Sequence, residues 1–316
     1  MTGFVNRIKC PACATEQRTL IFSKPFMIGP VSDFIRNKFN MDEVGDILKN
    51  ESFTLAECLG CGLIYQVNIL NDMLTEKLYD KWMNTDSTLD SSEYGGKKIS
   101  LEIQGVHLQE AAKIVSFIGK PNHEIEVLDY GMGWGHWCLA AKALGCNVFG
   151  FDLSEVRSEY VRSNGVSTVD GKTLGGRKYD YINTEQVLEH VPDSLQMTQF
   201  LADALKPGGI LKISVPDGSH IKEGMNAIRW DEDWHWRGFR RYLMPITPLM
   251  HINTFTPQCI RAMARSAGLK EVIIPLRHDY SLIPLTSIRE AFRNTLRPIY
   301  RKLIPTTRLF FRRLSH

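Results

Sequence analysis

Val127-Leu-Asp-Tyr-Gly-Met-Gly-Trp-Gly-His-Trp137 is an apolar run that breaks into three alternating glycines and then resumes with helix-forming residues. Glycines at 131, 133 and 135 permit a tight turn and let backbone N–H groups approach a ligand closely. Asp129 closes the run. A second apolar run, Asn147 to Phe151, leads into Asp152, which lies 21 positions beyond Gly131. That is close to the spacing of a ribose-binding carboxylate in a strand–turn–helix nucleotide site.

Working outward, short apolar runs predict strands at Glu126–Asp129, Asn147–Phe151, Val166–Val169, Tyr179–Asn183 and Gly209–Val215, with amphipathic stretches between them. Upstream, Leu101, Val106, Leu108, Ala111, Ala112, Val115 and Ile118 recur at helical spacing. Strand and helix in repeated alternation predict an α/β fold, doubly wound around a mostly parallel sheet with right-handed crossovers. The 316 residues exceed one ordinary domain, and a composition of 43% hydrophobic and 23% charged residues excludes a disordered or fibrous chain.

Two cofactor classes share this outline, and charge separates them. The dinucleotide fingerprint calls for a further glycine where His136 stands. Asp129, at the carboxyl end of its strand, would repel a pyrophosphate but suits a cationic ligand, and S-adenosylmethionine carries both an ammonium and a sulfonium. A nicotinamide oxidoreductase is therefore the weaker reading. The bland alternative is a plain turn in which Asp152 only caps a helix.

At these residues the sequence resembles the class I methyltransferase family. The resemblance runs from about residue 100 to 280. It rests on Asp129-x-Gly131-x-Gly133-x-Gly135, Asp152, Tyr179-Asp-Tyr-Ile, Glu185-Gln-Val-Leu-Glu-His-Val-Pro-Asp193 and Leu205-Lys-Pro-Gly-Gly-Ile-Leu211. It implies a Rossmann-like domain that binds S-adenosylmethionine, with the glycine loop around the amino-acid part and Asp152 on the ribose. Asp170 is implied near the adenine, and Asp129 and Glu185 count among the cofactor-binding residues.

Cys10-Pro-Ala-Cys13 and Cys58-Leu-Gly-Cys61 have the Cys-x2-Cys spacing that aims two thiolates at one tetrahedral ion. The 44 residues between the pairs exceed a compact zinc ribbon, so an inserted segment looped out of the module is expected. Four ligands would close the site and make the zinc structural; unrelated buried thiols are the alternative. Cys138, Cys146 and Cys259 read as packing residues. A four-cysteine amino-terminal module, with Glu57-Cys-Leu-Gly-Cys-Gly-Leu-Ile-Tyr65, ahead of a methyltransferase domain resembles the sugar C-methyltransferases of bacterial glycan pathways. The large carboxyl-terminal domain of that group has no counterpart in this sequence, so its C-methylation chemistry is not carried over.

The expected organisation is thus a zinc-ribbon-like module (1–75), a Ser/Gly-rich linker (76–99), a methyltransferase domain (100–285) and a basic amphipathic tail (286–316). The acceptor is expected to be a small molecule or a glycan. A sugar hydroxyl needs a general base, for which His190 and His251 are the candidates, with His220 behind them. The long connection from Asp217 to Phe255 carries Trp230, Trp234, Trp236, Tyr242, Arg237, Arg240 and Arg241, suited to stacking on an acceptor and pairing with a phosphate.

Of the formal charge of +3, Ser287–His316 alone carries +7, leaving −4 on the remainder. Arg289, Arg293, Arg297 and Arg301 recur every fourth residue, so the tail predicts either peripheral contact with an anionic membrane or packing on the catalytic domain. Charge confined to the tail argues against nucleic acid, and an RNA methyltransferase and a non-catalytic zinc scaffold stand as the competing functions. With no apolar run behind Met1–Lys9, no stretch of ~18 apolar residues and an odd cysteine count, a cytoplasmic protein is expected.

Overall fold

The structure, a computed structural model, describes residues 3–82, 97–171, 174–227, 244–279 and 306–314. Along the chain its strands are β1 (Phe4–Asn6), β2 (Arg18–Pro25), β3 (Ser52–Cys58), β4 (Ile64–Gln66), β5 (Asn68–Leu70), β6 (Glu126–Tyr130), β7 (Asn147–Phe151), β8 (Ser167–Thr168), β9 (Tyr179–Glu185), β10 (Leu205–Ser214), β11 (Asn253–Thr254), β12 (Leu269–Glu271) and β13 (Arg308–Arg313). The chain forms two units: Met1–Leu89 with Leu188–Met197 and Val215–Ser266, and Asp90–Val187 with Thr198–Ser214 and Ala267–His316. These units do not follow the contiguous segments 1–75, 76–99, 100–285 and 286–316.

In the second unit seven strands form one sheet in the order β12-β13-β10-β9-β6-β7-β8. The five strands expected from sequence pair in parallel. This is the doubly wound, Rossmann-like sheet. Its central strands are apolar because both faces are covered: Tyr179 through Thr184 are all buried. Trp137, Cys138 and Ala141 from the helix His136–Ala143, and Ala111 and Ile114 from the helix Leu101–Ile118, share a core with Val127, Val148 and Tyr181. The Ser100 side chain caps the latter helix by accepting from the Ile103 N–H, and Gly119 ends it in the left-handed region at φ 67°. From β6 the chain winds outward in one direction to β7 and β8, and in the other to β9 and β10. The crevice beyond the carboxyl ends of β6 and β9 is therefore a topological switch point, where open α/β sheets bind ligands.

At the end of the tail, Arg308–Arg313 forms β13, antiparallel to β10 and β12. Leu309 and Phe311 are buried on one face, and Phe310 between them packs half-buried against the core on the other, the period of a strand. Its arginines have partners within the unit: Arg308 pairs with Glu185 at 3.0 Å, and Arg313 donates to the Ala202 and Leu205 carbonyls, each at 3.0 Å. Arg289, Arg293, Arg297 and Arg301 lie outside the described residues, as do Trp230, Trp234, Trp236, Arg237, Arg240, Arg241 and Tyr242. Among the described residues no helix is long and apolar enough to cross a membrane.

The first unit holds a four-stranded antiparallel sheet, β11-β4-β3-β2, and the pair β1-β5. Here the insertion between the cysteine pairs departs from expectation. It is not looped out but folds as β2, the helices Gly29–Lys38 and Met41–Leu48, and β3. Phe26, Phe34, Phe39 and Phe53 are buried in its core beside Val31, Ile35, Val44 and Leu48. Trp82 and Leu78 join that core, so the expected linker does not begin at residue 76.

Arg7 explains why later segments belong to this unit. Its buried guanidinium donates to the carbonyls of Gln66 (2.6 Å), Ile252 (2.7 Å) and Pro192 (3.2 Å) and to Asn253 Oδ1 (2.7 Å). Burial lowers the pKa of Arg7 to about 9. Asn253 Nδ2 in turn donates to Leu188 O and Val191 O, closing the backbone groups of a turn that has no strand partner.

Candidate cofactor and metal sites

In the glycine loop, the Gly131 and Met132 N–H groups both donate to Phe151 O, at 2.8 and 2.9 Å, which folds the loop back over β7. Gly131, Gly133 and Gly135 all have positive φ, 78°, 54° and 71°. They are not equivalent. A Cβ on Gly131 would overlap the side chain of Val187, and one on Gly135 would come within 2.6 Å of Val161, whereas one on Gly133 would meet nothing within 4 Å. Gly131 and Gly135 are thus demanded by packing. Gly133 borders open space, as a backbone cradle for a ligand must.

Asp152 is built into this cradle. Oδ2 accepts from the Gly133 N–H at 2.8 Å and Oδ1 from the Ser154 N–H at 2.9 Å, while Arg157 stands 3.7 Å away. The carboxylate ties the loop after β6 to the loop after β7 and retains acceptor capacity for a diol. These residues fit the adenosyl and amino-acid parts of S-adenosylmethionine.

Asp129 sits at the same end of the sheet but points inward. Oδ1 accepts from Asn183 Nδ2 at 2.7 Å, and Oδ2 from the Cys138 thiol at 3.5 Å. Burial raises its pKa to about 7, against the opposing hydrogen bonds from Asn183 and Cys138. A cation bound nearby would favour the ionised form.

Glu185 lies at the end of β9 and is held by Lys212 Nζ at 2.9 Å as well as by Arg308. Burial alone would raise its pKa, but Lys212 and Arg308 outweigh that and lower it. Lys212 is fully buried and also pairs with Glu110 from the helix Leu101–Ile118. Asp170 follows β8, is exposed, and its backbone carbonyl accepts from the Leu174 N–H. The structure therefore gathers Gly131, Gly133, Gly135, Asp129 and Asp152 at the switch point. It engages Glu185 in an ion-pair network that the sequence did not reveal, because Glu110, Lys212 and Arg308 belong to no motif.

The four expected metal ligands do converge. The sulfurs of Cys10, Cys13, Cys58 and Cys61 lie within 4.8 Å of one another. Cys10–Cys61 are 3.6 Å apart and Cys13–Cys58 3.4 Å, close to the ~3.8 Å separation of four sulfurs around zinc at ~2.3 Å. The Ala12 N–H donates to Cys10 Sγ and the Cys61 N–H to Cys58 Sγ, each at 3.4 Å, orienting the sulfurs as thiolate acceptors. The donor set and spacing fit a closed zinc site. Cys259, expected only to pack, reaches it: its thiol lies 3.8 Å from Cys61 Sγ. A lone cysteine 198 residues away carries no spacing signal.

His190 and His251 belong to the same unit as the cysteines. Their ring centroids are 4.8 Å apart with planes at 75°. His190 Nδ1 lies 2.9 Å from Met250 O and 3.0 Å from the Tyr79 hydroxyl, and His251 Nδ1 lies 2.7 Å from Met244 O. A carbonyl can only accept, so both Nδ1 atoms carry the proton and a neutral ring keeps its lone pair on Nε2. Burial, and for His190 the neighbouring His251, holds both pKa values below the usual imidazole range. Two neutral imidazoles with Nε2 lone pairs can take a proton or a metal. His220 is exposed and pairs only with Glu223, at 3.1 Å.

A model of the methyltransferase-domain family matches residues 105–273, more than half of the chain. The ubiquinone biosynthesis O-methyltransferase of Chelativorans sp. (strain BNC1) is 30% identical over 141 residues, covering 41% of this chain and 56% of that protein. That of Bordetella avium (strain 197N) is 28% identical over 179 residues, 51% of this chain and 71% of that one. The chain spans just over half the length of relatives such as the Chelativorans protein. Among solved structures, the plantazolicin methyltransferase BpumL in complex with a monoazolic desmethylPZN analog and SAH shares 12% identity at a TM-score of 0.47, over 77% of this chain and 94% of that one. With its doubly wound sheet and glycine loop, the chain belongs to the methyltransferase-domain family, class I.

Proposed function

We propose that the chain transfers a methyl group from S-adenosylmethionine to a hydroxyl oxygen of a small-molecule acceptor, and that Cys10, Cys13, Cys58 and Cys61 hold a structural zinc. The observation that carries the methyl-transfer reading is the Asp152 bridge to Gly133 beside an open cradle at the switch point. Bound there, S-adenosylmethionine supplies an electrophilic methyl on a cationic sulfur. The chain's part is to position and shield the donor, which accounts for much of the catalysis of an in-line displacement. In this reading Asp152 accepts from the ribose hydroxyls, the loop surrounds the amino-acid part, and Asp129 answers the positive charge.

A hydroxyl acceptor must also lose its proton, and Nε2 of His190 or His251 is the base. The similarity to ubiquinone biosynthesis O-methyltransferases favours an oxygen acceptor. A sugar or glycan acceptor is the second reading, favoured by the four-cysteine cluster ahead of the methyltransferase sheet. The test is a labelled-methyl transfer screen of the full chain against phenols, catechols and nucleotide sugars, with Gly133→Ala as the control. Transfer to a phenol or catechol supports the first reading and transfer to a nucleotide sugar the second. No transfer to any hydroxyl, with salt-dependent RNA binding instead, would favour the RNA reading.

A further inference from the structure

We propose that Glu189, His190 and His251 form a second metal site, which takes a single divalent transition-metal ion and leaves one coordination position open. One ligand atom from each residue lies within 4.8 Å of the others, and His190 Nε2 is 4.0 Å from Glu189 Oε1. Two imidazoles and one carboxylate are the donor set of catalytic zinc and of several other divalent ions. Ligands around zinc at ~2.0 to 2.1 Å stand about 3.3 Å apart, so closure requires side-chain movement on the order of an ångström.

The surroundings resemble those of a metal ligand shell more than those of a packed histidine pair. Metal-bound histidines hold the ring by a hydrogen bond from the other nitrogen, commonly to a backbone carbonyl. Both rings here do so, through Met250 O and Met244 O, and the Tyr79 hydroxyl adds a second partner for His190. The Glu189 carboxyl is buried, with its side chain 1% exposed, and stands beside His190 Nε2. Three ligands leave the fourth position of a tetrahedral ion without a donor from this cluster, and a small cavity lined by Leu70, Thr75, Tyr79, Pro192, Leu249 and Ile252 reaches His190. This differs from the cysteine cluster, where four sulfurs close the shell.

The presence of the ion is independent of the methyl-transfer reading. Its use rests on that reading: an ion with an open position lowers the pKa of a coordinated hydroxyl, and would then replace the imidazole as the agent of deprotonation.

The test is cadmium-113 NMR of the full chain, stripped of metal and reloaded with cadmium-113. The expected spectrum has a resonance in the range of four thiolate ligands and a second, far upfield, in the range of nitrogen and oxygen ligands. The second should show scalar coupling to the ring nitrogens of His190 and His251, assigned from its loss in His190→Gln and His251→Gln. A wild-type spectrum without the upfield resonance overturns the proposal, as does one whose upfield resonance has no coupling to two histidines or survives in both variants. Retention of the thiolate resonance shows that each variant is folded. The readout involves no methyl transfer, so failure of the metal site and failure of the enzyme reading remain distinct.

Discussion

Gly133 and Gly131 offer a test that separates binding from folding. Both have φ in the left-handed region, where an L residue costs about 1–2 kcal/mol, so Gly133→Ala, whose Cβ meets nothing, should lose only that amount. In Gly131→Ala the methyl also overlaps Val187, and overpacking adds about 1–3 kcal/mol, for a total of about 2–5. For a unit of this size each kcal/mol lowers the melting transition by about 2–4 °C. Scanning calorimetry should therefore show a small shift for Gly133→Ala and one about twice as large or more for Gly131→Ala. The relevant transition is the one that S-adenosylhomocysteine raises in the wild type. Binding should rank the other way relative to stability: the Gly133→Ala methyl enters the cradle itself and should weaken S-adenosylhomocysteine tenfold or more, about 1.4 kcal/mol, by titration calorimetry. If Gly131→Ala is as stable as Gly133→Ala, the packing argument is wrong. If Gly133→Ala binds within twofold of wild type, the open space beside Gly133 is not the cofactor cradle.

Asp129 has a folded-state pKa raised from 3.8 to about 7, so the native state holds its proton more tightly than the unfolded chain between those values. Its contribution is fully present below about pH 4 and is lost as pH rises through 7. Asp129→Asn should therefore gain stability on wild type as pH rises from 4 to 7 in denaturant titrations, and parallel curves would remove the buried acid from the account. Lys212→Met leaves the Glu110 and Glu185 carboxylates without their shared buried cation, and should cost about 3–5 kcal/mol. Much of that should return in Lys212→Met/Glu110→Leu; a loss under about 1 kcal/mol in the single variant would mean that the pair is not buried.

The parallel core of the sheet was legible because β6 and β9 are buried on both faces, and the apolar runs of β6, β7 and β9 end abruptly at the glycines and acids that define the site. The strand β13 was not, since Arg308, Arg312 and Arg313 dominate its composition. Only the pairing of Arg308 with Glu110 and Glu185, and of Arg313 with backbone carbonyls, shows that the charge is used inside the fold. The insertion between the cysteine pairs was expected to loop out because its 44 residues exceed a compact ribbon, and its aromatic residues, 26, 34, 39 and 53, share no single strand or helix period that would have placed them in one core. They meet only in the folded core.

The cysteine cluster shows both outcomes at once. Cys-x2-Cys spacing is local and pointed to four ligands that do converge, whereas Cys259 reaches Cys61 through tertiary structure alone. His190 and His251 were each singled out on chemistry, but their facing rings and the buried Glu189 beside them depend on segments 61 residues apart in sequence. Asp129 was read as a carboxylate facing the ligand. The structure gives it Asn183 and Cys138 as partners, a geometry that no motif encodes.

The central claim is that the cradle joined by Asp152 and Gly133 holds the adenosyl donor. The most direct measurement is titration calorimetry of S-adenosylhomocysteine and, separately, NADH into the wild type and Asp152→Ala. Asp152→Ala strips the ribose of charge-assisted hydrogen bonds worth about 1.5–3 kcal/mol. The account predicts one site for S-adenosylhomocysteine on the wild type, none for NADH, and more than tenfold weaker binding in the variant. Affinity unchanged by Asp152→Ala, or a wild type that binds NADH in preference, would contradict it.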